Sequence, residues 1–526
     1  MLLYAWTMIV TSLFAAVSLS MSQPQEPVTV VVETKVAQGD LAGRATDGIA
    51  AFKNIPYAAA PVGPLRWRMP QAAPTWQGVR DASMPGAICI QPPANGDPGV
   101  GPLPMSEDCL NLNVWAPTES GDTPLPVMVW VHGGGLNNGS GTATLYDGAR
   151  LARRGVIVVT VNYRLGRLGF FAHPALRHAT TNGDDMRGNF GMADVVASLQ
   201  WVRDNIAVFG GDPGNVTLFG ESAGGVVVTR MMVAPQARGL FHRAVIQSGL
   251  GREAGTPSFI RRADGGPSLE DRGVLFALGA GLSLNTTADE LRALPAEALL
   301  SPPPSFYGGD LLVIDGRMVD RDVADAFAAG RQAPVPMIIG TNSAEFWWMK
   351  ATDRSPYGQT DDALTRQEFA ALIKAYGGED AYNGNALSDF IFNEPARHLA
   401  RLHARAGNPA YLYRFDVVPD PNPEPQHTGA THASERPYVF DNLWTLTWPM
   451  GERDQQAATA MADYWTTFAR SGDPNGVGRP EWPEFGQNRD QLLEFTNDGP
   501  VAKPVPFADR LDLIEAYYAR VGPDRR

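Results

Sequence analysis

One serine of this chain stands in a sequence context that is typical of a nucleophile. Ser222 is the third residue of Gly220–Gly224, which has the form G-x-S-x-G. This pentapeptide follows an apolar, strand-like run, Val216–Phe219, and precedes a helix-like run, Val226–Val233. Flanking glycines allow a strained turn that exposes the serine hydroxyl, and the helix N-terminus behind it favours developing negative charge. The pattern alone is short, so the strand-turn-helix context makes Ser222 a candidate nucleophile for acyl transfer.

A run of glycines forms a second group of candidate residues. The segment His132–Gly135 follows the β-rich run Val127–Val131. Tandem glycines let backbone N–H groups converge on one oxygen without obstruction by side chains, as a tetrahedral oxyanion requires. We therefore predict an oxyanion hole that is formed by the N–H groups of Gly134, Gly135 and Ala223. The alternative, a phosphate cradle, is disfavoured because the chain has neither G-x-x-x-x-G-K-[ST] nor a G-x-G-x-x-G at a strand-helix junction.

The patterns around these motifs predict an α/β fold. Short β-rich runs alternate with helical patterns, which is typical of a large, mostly parallel sheet with helices on both faces. One helical pattern, Met192–Ile206, has apolar residues at three-to-four spacing and predicts a helix with one buried stripe. In such sheets ligands bind at the carboxyl ends of the strands, where both motifs lie. The strand-like runs are Val127–Val131, Val156–Val161, Val216–Phe219, Val335–Ile339 and Tyr411–Phe415.

Length and charge narrow the class of protein. The chain has 526 residues, of which 44% are apolar and 19% charged, as in an ordinary globular protein. We predict a single domain over residues 23–526, with insertions at about 251–330 and 350–405 that cover the strand ends and form the substrate cavity. The formal net charge of −13 repels phosphate backbones and anionic lipid, so nucleic-acid binding is disfavoured.

The first residues resemble a secretory leader. Residues 1–22 carry no charge, and an apolar stretch is followed by small residues, as in a signal peptide and its cleavage zone. We predict a secreted or periplasmic protein without stable membrane insertion once the leader is removed. The segment lacks Lys and Arg near its start, so an uncleaved anchor and a mis-assigned start codon are the alternatives.

Cys89 and Cys109 are the two cysteines of the chain. An even pair in an exported protein predicts one disulfide, which here would close a loop rich in proline and glycine. Two free thiols are the alternative. The sequence shows no cluster of cysteine and histidine at zinc-ligand spacing, so no metal site is predicted.

Several ordered segments resemble the type-B carboxylesterase and cholinesterase family of α/β hydrolases. The resemblance covers about residues 28 to 518. It implies a serine ester hydrolase of the carboxylesterase type, which acts on small-molecule esters through an acyl-enzyme and needs no metal or cofactor. It also implies a catalytic triad of Ser, Glu and His in that chain order. The matching segments are Phe52–Ala58, Ser106–Trp115, His132–Gly135, Asn162–Gly166, Asn189–Gly191, Phe209–Pro213, Tyr464–Thr466 and Gly472–Asn475.

The resemblance assigns the acid of the triad to Glu345. Family members carry this acid in a G-x-x-x-x-E-G segment after a strand, and Gly340–Glu345 is similar to it. Phe346 stands where the family has glycine, so we expect the loop to pack differently around the carboxylate. Asp441 is the rival acid.

The resemblance assigns the histidine to His432. The segment Gly429–Phe440 is similar to the family's histidine loop, although Ala433 stands where a glycine usually follows the histidine. His427 lies in the proline-rich lead-in and is the weaker candidate, and His132 is expected to support the glycine loop. Four tryptophans are expected to form either pocket walls or ordinary core: Trp347, Trp348, Trp444 and Trp448.

Three other functions fit the same fold. A non-catalytic adhesion protein is disfavoured because the serine, the acid, the histidine and the glycines are all present. A true cholinesterase is disfavoured because no tryptophan lies between Cys89 and Cys109 to hold a choline cation. An amidase would use the same triad, and the comparison of p-nitrophenyl esters with anilides separates the two activities.

Overall fold

We describe the protein from a computed structural model. The structure describes residues 29–92, 103–119, 121–178, 188–252, 258–259, 267–302, 311, 313–347, 364–423, 428–486 and 489–521. The leader predicted at residues 1–22 therefore lies outside the described residues, and it stays a prediction, as do the domain limits. Among the described residues, no helix combines the length and the apolar character that are needed to cross a membrane.

The strands are short and distributed along the whole described chain. They are β1 (Thr29–Val36), β2 (Gly39–Thr46), β3 (Ile49–Pro56), β4 (Val79–Asp81), β5 (Ile88–Cys89), β6 (Met105–Ser106), β7 (Asn111–Pro117), β8 (Leu125–Val131), β9 (Ile157–Val161), β10 (Gly211–Glu221), β11 (Arg243–Gln247), β12 (Ser258–Phe259), β13 (Val313–Ile314), β14 (Met337–Asn342), β15 (Ala410–Asp416), β16 (Gln491–Thr496) and β17 (Gly499–Pro504).

The described α-helices lie mainly between the strands of the second half of the chain. They are α1 (Ala149–Ala152), α2 (Gly166–Gly169), α3 (Pro174–His178), α4 (Phe190–Asn205), α5 (Ala223–Val233), α6 (Leu269–Gly279), α7 (Ala288–Arg292), α8 (Val323–Ala328), α9 (Arg366–Tyr376), α10 (Glu379–Ser388), α11 (Glu394–Arg405), α12 (Arg436–Val439), α13 (Glu452–Ser471) and α14 (Ala508–Val521). A π-helical turn, Asp389–Asn393, joins α10 to α11.

One large sheet organises the described residues. Its strand order is β1-β2-β3-β7-β9-β8-β10-β11-β14-β15-β16-β17, with β4 beside β2. The pairs from β9 to β16 are parallel, and the other pairs along this order are antiparallel. The predicted fold class, a mostly parallel sheet with helices on both faces, is confirmed.

Alternating side chains of the central strands build two layers of core. In β8, Val129 and Val131 pack in a cluster with Val228 of α5, on one face of the sheet. Trp130, between them, points to the other face and joins a cluster with Trp465 of α13. Because successive side chains of a strand alternate between faces, an uninterrupted apolar run such as this is buried on both sides.

The predicted strands and the predicted helix are all found, although several of their bounds differ from the prediction. The run Val335–Ile339 gives a strand that begins only at Met337, because Pro336 has no N–H to donate to a strand ladder. Helix α4 is buried almost all round rather than along one stripe. One of its polar residues, Asp194, is buried and forms an ion pair with Arg164 at 2.7 Å. The exposed positions are Gln200, Arg203 and Asp204, near the end of the helix.

The disulfide between Cys89 and Cys109 is present, and both residues are buried. The bond links positions that are 20 residues apart. Replacing both cysteines by alanine is expected to lower the free energy of unfolding by about 3 kcal/mol, because the unfolded chain regains the entropy of an open loop. Urea unfolding under oxidising conditions measures this difference.

The control for this prediction is the same measurement under reducing conditions, where parent and double variant should have similar midpoints. Equal midpoints under oxidising conditions would show that the disulfide does not stabilise the fold.

Candidate active site

Ser222 lies on a sharp turn between β10 and α5. Its φ and ψ angles are 55° and −122°, a conformation that is rare for a residue with a side chain. Its N–H donates to the carbonyl of Gln247 at 2.9 Å. A Cβ atom at Gly224 would lie 2.0 Å from the carbonyl oxygen of Val131, so the helix can approach β8 only with glycine there. The predicted strand-turn-helix is therefore present, with the half-buried serine at its apex.

Three side chains form a continuous chain of hydrogen bonds at this turn. The Nε2 atom of His432 lies 2.9 Å from Ser222 Oγ. The Nδ1 atom of the same ring lies 2.5 Å from Oε2 of Glu345, whose side chain is completely buried. This arrangement allows the imidazole to take a proton from the serine while the carboxylate fixes the orientation of the ring.

Main-chain contacts hold the acid loop and the histidine loop together. The two loops leave the neighbouring parallel strands β14 and β15 at the same edge of the sheet. Ala344 and Thr431 form a short parallel bridge, and the N–H of His432 donates to the carbonyl of Glu345 at 3.0 Å. The relative position of Glu345 and His432 is thus fixed by the backbone as well as by their side chains.

The carboxylate of Glu345 accepts further hydrogen bonds through its other oxygen. Ser248 Oγ donates to Glu345 Oε1 at 2.6 Å, and the N–H of Asn342 donates to the same atom at 2.7 Å. Charge-assisted hydrogen bonds of this kind hold a buried carboxylate in one orientation. Sequence analysis did not identify Ser248, because its position after β11 gives no sign of the residue that it meets.

The glycine run lies against the serine. A Cβ atom at Gly133 would lie 3.1 Å from the Cβ of Ser222. Gly134 and Gly135 have φ angles of 101° and 59°, and a Cβ at Gly134 would lie 2.2 Å from the carbonyl oxygen of Asn138. Glycine is therefore required for the path of this loop, which passes the predicted nucleophile.

The ring of His132 packs against Tyr163 and contacts the backbone of the glycine run. It stacks on Tyr163, with ring centroids 4.5 Å apart, and its Nδ1 lies 2.9 Å from the carbonyl oxygen of Gly133. The hydroxyl of Tyr163 donates to the carbonyl of His132 at 2.8 Å. These contacts fit the supporting role that the sequence predicts for His132.

A second buried carboxylate, Glu221, faces the histidine. Its Oε1 lies 3.4 Å from His432 Nε2, and its side chain is 1% exposed. Burial raises the pKa of Glu221 above its usual value, against the lowering effects of His432 and Arg436. Alternation along β10 indicates that Glu221 shares a face with the buried Phe219, but it does not indicate that the carboxylate meets a histidine.

Glu345 and Glu221 raise the basicity of His432. Burial by itself lowers the pKa of this imidazole, but the neighbouring carboxylates of Glu345 and Glu221 outweigh burial and raise it above 6.5. The protonated form of the ring is therefore stabilised in this site.

Phe346, the departure from the family's glycine, packs on the imidazole ring of His432. Its side chain is buried, and its ring meets the ring of His432 edge to face at a centroid distance of 5.0 Å. Phe392, from the stretch predicted as an insertion at 350–405, lies 5.2 Å from the same ring and 4.9 Å from that of Phe346. The departure leaves Glu345 in contact with His432 and adds an aromatic wall.

The alternative candidates for the acid and the histidine are not found at this site in the described residues. Asp441, the rival acid, accepts from Arg154 at 3.0 Å and from Gln455 at 2.7 Å, which gives it a role in an ion pair. His427 lies outside the described residues. The structure brings together Ser222, Glu345 and His432.

The four tryptophans also differ in position. Trp448 and His432 both line a cavity of about 380 Å³, so Trp448 is a pocket wall. Trp444 is 60% exposed and therefore does not belong to the core. Trp347 is half-buried beside the acid loop, and Trp348 lies outside the described residues.

One group of potential metal ligands occurs among the described residues. Glu394, His398 and Glu515 place one ligand atom each within 4.8 Å of one another. Arg252 donates to both carboxylate oxygens of Glu394 at 2.6 and 2.7 Å, and Arg401 forms an ion pair with Glu515. Because arginines already neutralise both carboxylates, we do not assign a metal to this group.

Solved structures of known proteins share this architecture. The chain is similar to a PNB esterase and to a thermophilic PNB esterase, each with a TM-score of 0.78 and 29% identity. Each comparison covers 92% of this chain and 99% of the other. The fold is that of the α/β hydrolases.

Sequence comparison defines the family. A model described as the carboxylesterase family matches residues 28–383 and 379–510. The chain is 35% identical to a fumonisin B1 esterase of Sphingopyxis macrogoltabida over 479 residues, which cover 85% of this chain and 83% of the relative. It is 36% identical to a cocaine esterase of Oryctolagus cuniculus over 482 residues, which cover 83% and 86%. The chain belongs to the carboxylesterase family and is a carboxylic-ester hydrolase.

Proposed function

We propose that this hydrolase works through an acyl-enzyme that forms on Ser222. His432 takes the proton of the serine hydroxyl as Oγ attacks the ester carbonyl. It then protonates the departing alcohol and activates water for deacylation. Glu345 holds the ring in the required tautomer and stabilises the imidazolium that forms in both steps.

The oxyanion of each tetrahedral intermediate is stabilised by main-chain donors. We assign this role to the N–H groups of Gly134, Gly135 and Ala223, since the glycine run lies against Ser222 and Ala223 follows it at the start of α5. Pre-arranged donors of this kind contribute about 3 to 4 kcal/mol each to the transition state. This mechanism uses side chains and main-chain groups of the chain itself.

One observation carries the proposal most strongly. The hydrogen-bonded series Glu345, His432 and Ser222, with distances of 2.5 and 2.9 Å, ends on a hydroxyl that sits at a strained turn. A buried carboxylate, an imidazole and a hydroxyl in this order are the parts of a serine nucleophile that a base activates.

The proposed substrate is a small-molecule carboxylic ester. Curated relatives of the chain include proteins named for the esters fumonisin B1 and cocaine. A choline ester is not favoured, because the loop between Cys89 and Cys109 has no tryptophan that would bind a quaternary ammonium group.

Covalent labelling tests the nucleophile. A fluorophosphonate should modify the parent at Ser222 alone, as located by peptide mass analysis, and should leave Ser222→Ala unlabelled. Labelling that persists in this variant, or that maps to another residue, would overturn the assignment.

The pH dependence of hydrolysis tests the base. His432 must be neutral to accept a proton, so kcat/KM should rise with pH. Since the carboxylates of Glu345 and Glu221 raise the pKa of His432, the midpoint of this rise is expected above 6.5. Initial rates with a p-nitrophenyl ester across the pH range measure the midpoint, and a flat profile would contradict the role of His432.

A further inference from the structure

An arginine lies close to the buried carboxylate that faces the histidine. Arg436 is four residues beyond His432, and its side chain is 14% exposed. Its Nε lies 3.8 Å from Glu221 Oε2 and donates to the carbonyl of Ala433 at 3.0 Å. One of its terminal nitrogens donates to the hydroxyl of Tyr146 at 2.8 Å. These contacts hold the guanidinium beside the carboxylate.

The surroundings of Glu221 contain cations and anions. Its ion-pair contacts among the described residues are with His432 and Arg436. Other groups around it are acidic, so they oppose its ionisation. The titratable and charged groups that act on Glu221 are His432, Arg436, Glu435, Glu345, Tyr163 and Tyr413.

The two cations differ in when they carry charge. His432 must be neutral before it can act as a base, and in that state it offers Glu221 no positive charge. Arg436 is charged at every working pH. A buried carboxyl group without a cation binds a proton instead of remaining ionised, so Arg436 is the group that favours the anion of Glu221 while His432 is neutral.

An ionised Glu221 affects the chemical step through His432. When His432 accepts the proton of Ser222, positive charge appears on the ring, 3.4 Å from Glu221. A carboxylate at that distance stabilises the imidazolium, whereas a neutral carboxylic acid gives little stabilisation.

We propose that Arg436 is a positioning residue that acts on His432 through Glu221, by extending to lower pH the range in which the Glu221 carboxylate is ionised. This inference rests on the proposed function, because it requires His432 to be the base. The role of Arg436 differs from that of Glu345: Glu345 orients the ring of His432 directly, whereas Arg436 acts on the charge of Glu221.

A purely structural role for Arg436 makes a different prediction. The bonds to Ala433 and Tyr146 also anchor the histidine loop. If anchoring were the whole effect, removal of Arg436 would impair hydrolysis whether or not residue 221 carried a charge.

A double-mutant cycle separates the two roles. The variants are Arg436→Gln, Glu221→Gln and the pair together, assayed for kcat/KM with p-nitrophenyl acetate from roughly pH 5 to 10. Rates are normalised to sites titrated with a fluorophosphonate, so that misfolded protein does not count. Where Arg436→Gln yields too little titratable protein, Arg436→Met takes its place, since it keeps most of the apolar stem.

We expect Arg436→Gln to lower kcat/KM roughly tenfold at the pH of the parent's maximum, equivalent to one pKa unit of interaction. The loss should diminish at higher pH, where Glu221 ionises unaided. Glu221→Gln should show a similar loss that does not diminish. In the Glu221→Gln background, Arg436→Gln should change the rate by less than about twofold.

Two matched variants complete the test. Arg436→Lys keeps the charge and should retain most of the parent's rate, and Tyr146→Phe removes one anchor without changing the charge and should keep the parent's pH profile. An equal loss for Arg436→Gln in both backgrounds at all pH values would overturn the inference and leave only anchoring. Failure of the proposed function is a separate outcome, because Ser222→Ala would then still hydrolyse the ester.

Discussion

Replacing Ser222 by alanine is expected to lower kcat for ester hydrolysis by a factor on the order of 10⁶. Without Oγ no acyl-enzyme forms, and what remains is the weaker assistance of the oxyanion donors and of substrate binding. Alanine and serine tolerate a φ angle of 55° about equally, so the turn should persist in the variant. Steady-state hydrolysis of p-nitrophenyl acetate measures the effect, and thermal unfolding checks the fold.

A buried serine elsewhere provides the matched control. Ser198 lies in α4, and its hydroxyl donates to the carbonyl of Val195 at 2.7 Å. Ser198→Ala should keep the parent's rate within a few-fold. A rate for Ser222→Ala near that of the control would refute the proposed nucleophile.

Replacing His432 by alanine should have a comparable effect, also on the order of 10⁶ in kcat. Its imidazole forms hydrogen bonds with both Ser222 and Glu345, so its loss leaves the serine without a base and the carboxylate without its partner. Fluorophosphonate labelling should also become very slow, although Ser222 is still present.

The double variant makes this prediction sharper. Ser222 and His432 act as one unit, so Ser222→Ala with His432→Ala should be no slower than either single variant. If the two factors instead multiplied, the residues would act independently and the proposed triad would be wrong. Measurement of all three variants at one pH, with the uncatalysed rate subtracted, decides between these outcomes.

Local sequence was sufficient for the residues whose role depends on the chain around them. The turn at Ser222 and the glycine loop are marked by glycines that the backbone requires, and five apolar runs identified the central strands. The resemblance then identified Glu345 and His432, which lie 123 and 210 residues from Ser222 in sequence yet meet it at one edge of the sheet.

The residues that sequence analysis missed share one property. Their contacts join segments that are far apart in the chain and meet only in the folded protein. The residues are Ser248, Glu221 and Arg436. Strand alternation indicates that Glu221 is buried, but it does not identify a partner. The replacement of glycine by Phe346 was visible in the sequence, whereas its packing on the imidazole depends on Phe392.

The bridge between Ala344 and Thr431 has a consequence for how the enzyme would lose activity on warming. Main-chain bonds couple the acid loop to the histidine loop, whereas Ser222 is joined to His432 by a single side-chain hydrogen bond. Thermal fluctuations should therefore part the serine from the imidazole well before they part the imidazole from its carboxylate. On warming, the rate of hydrolysis would then fall because Ser222 moves away from His432, while His432 and Glu345 keep their relative position.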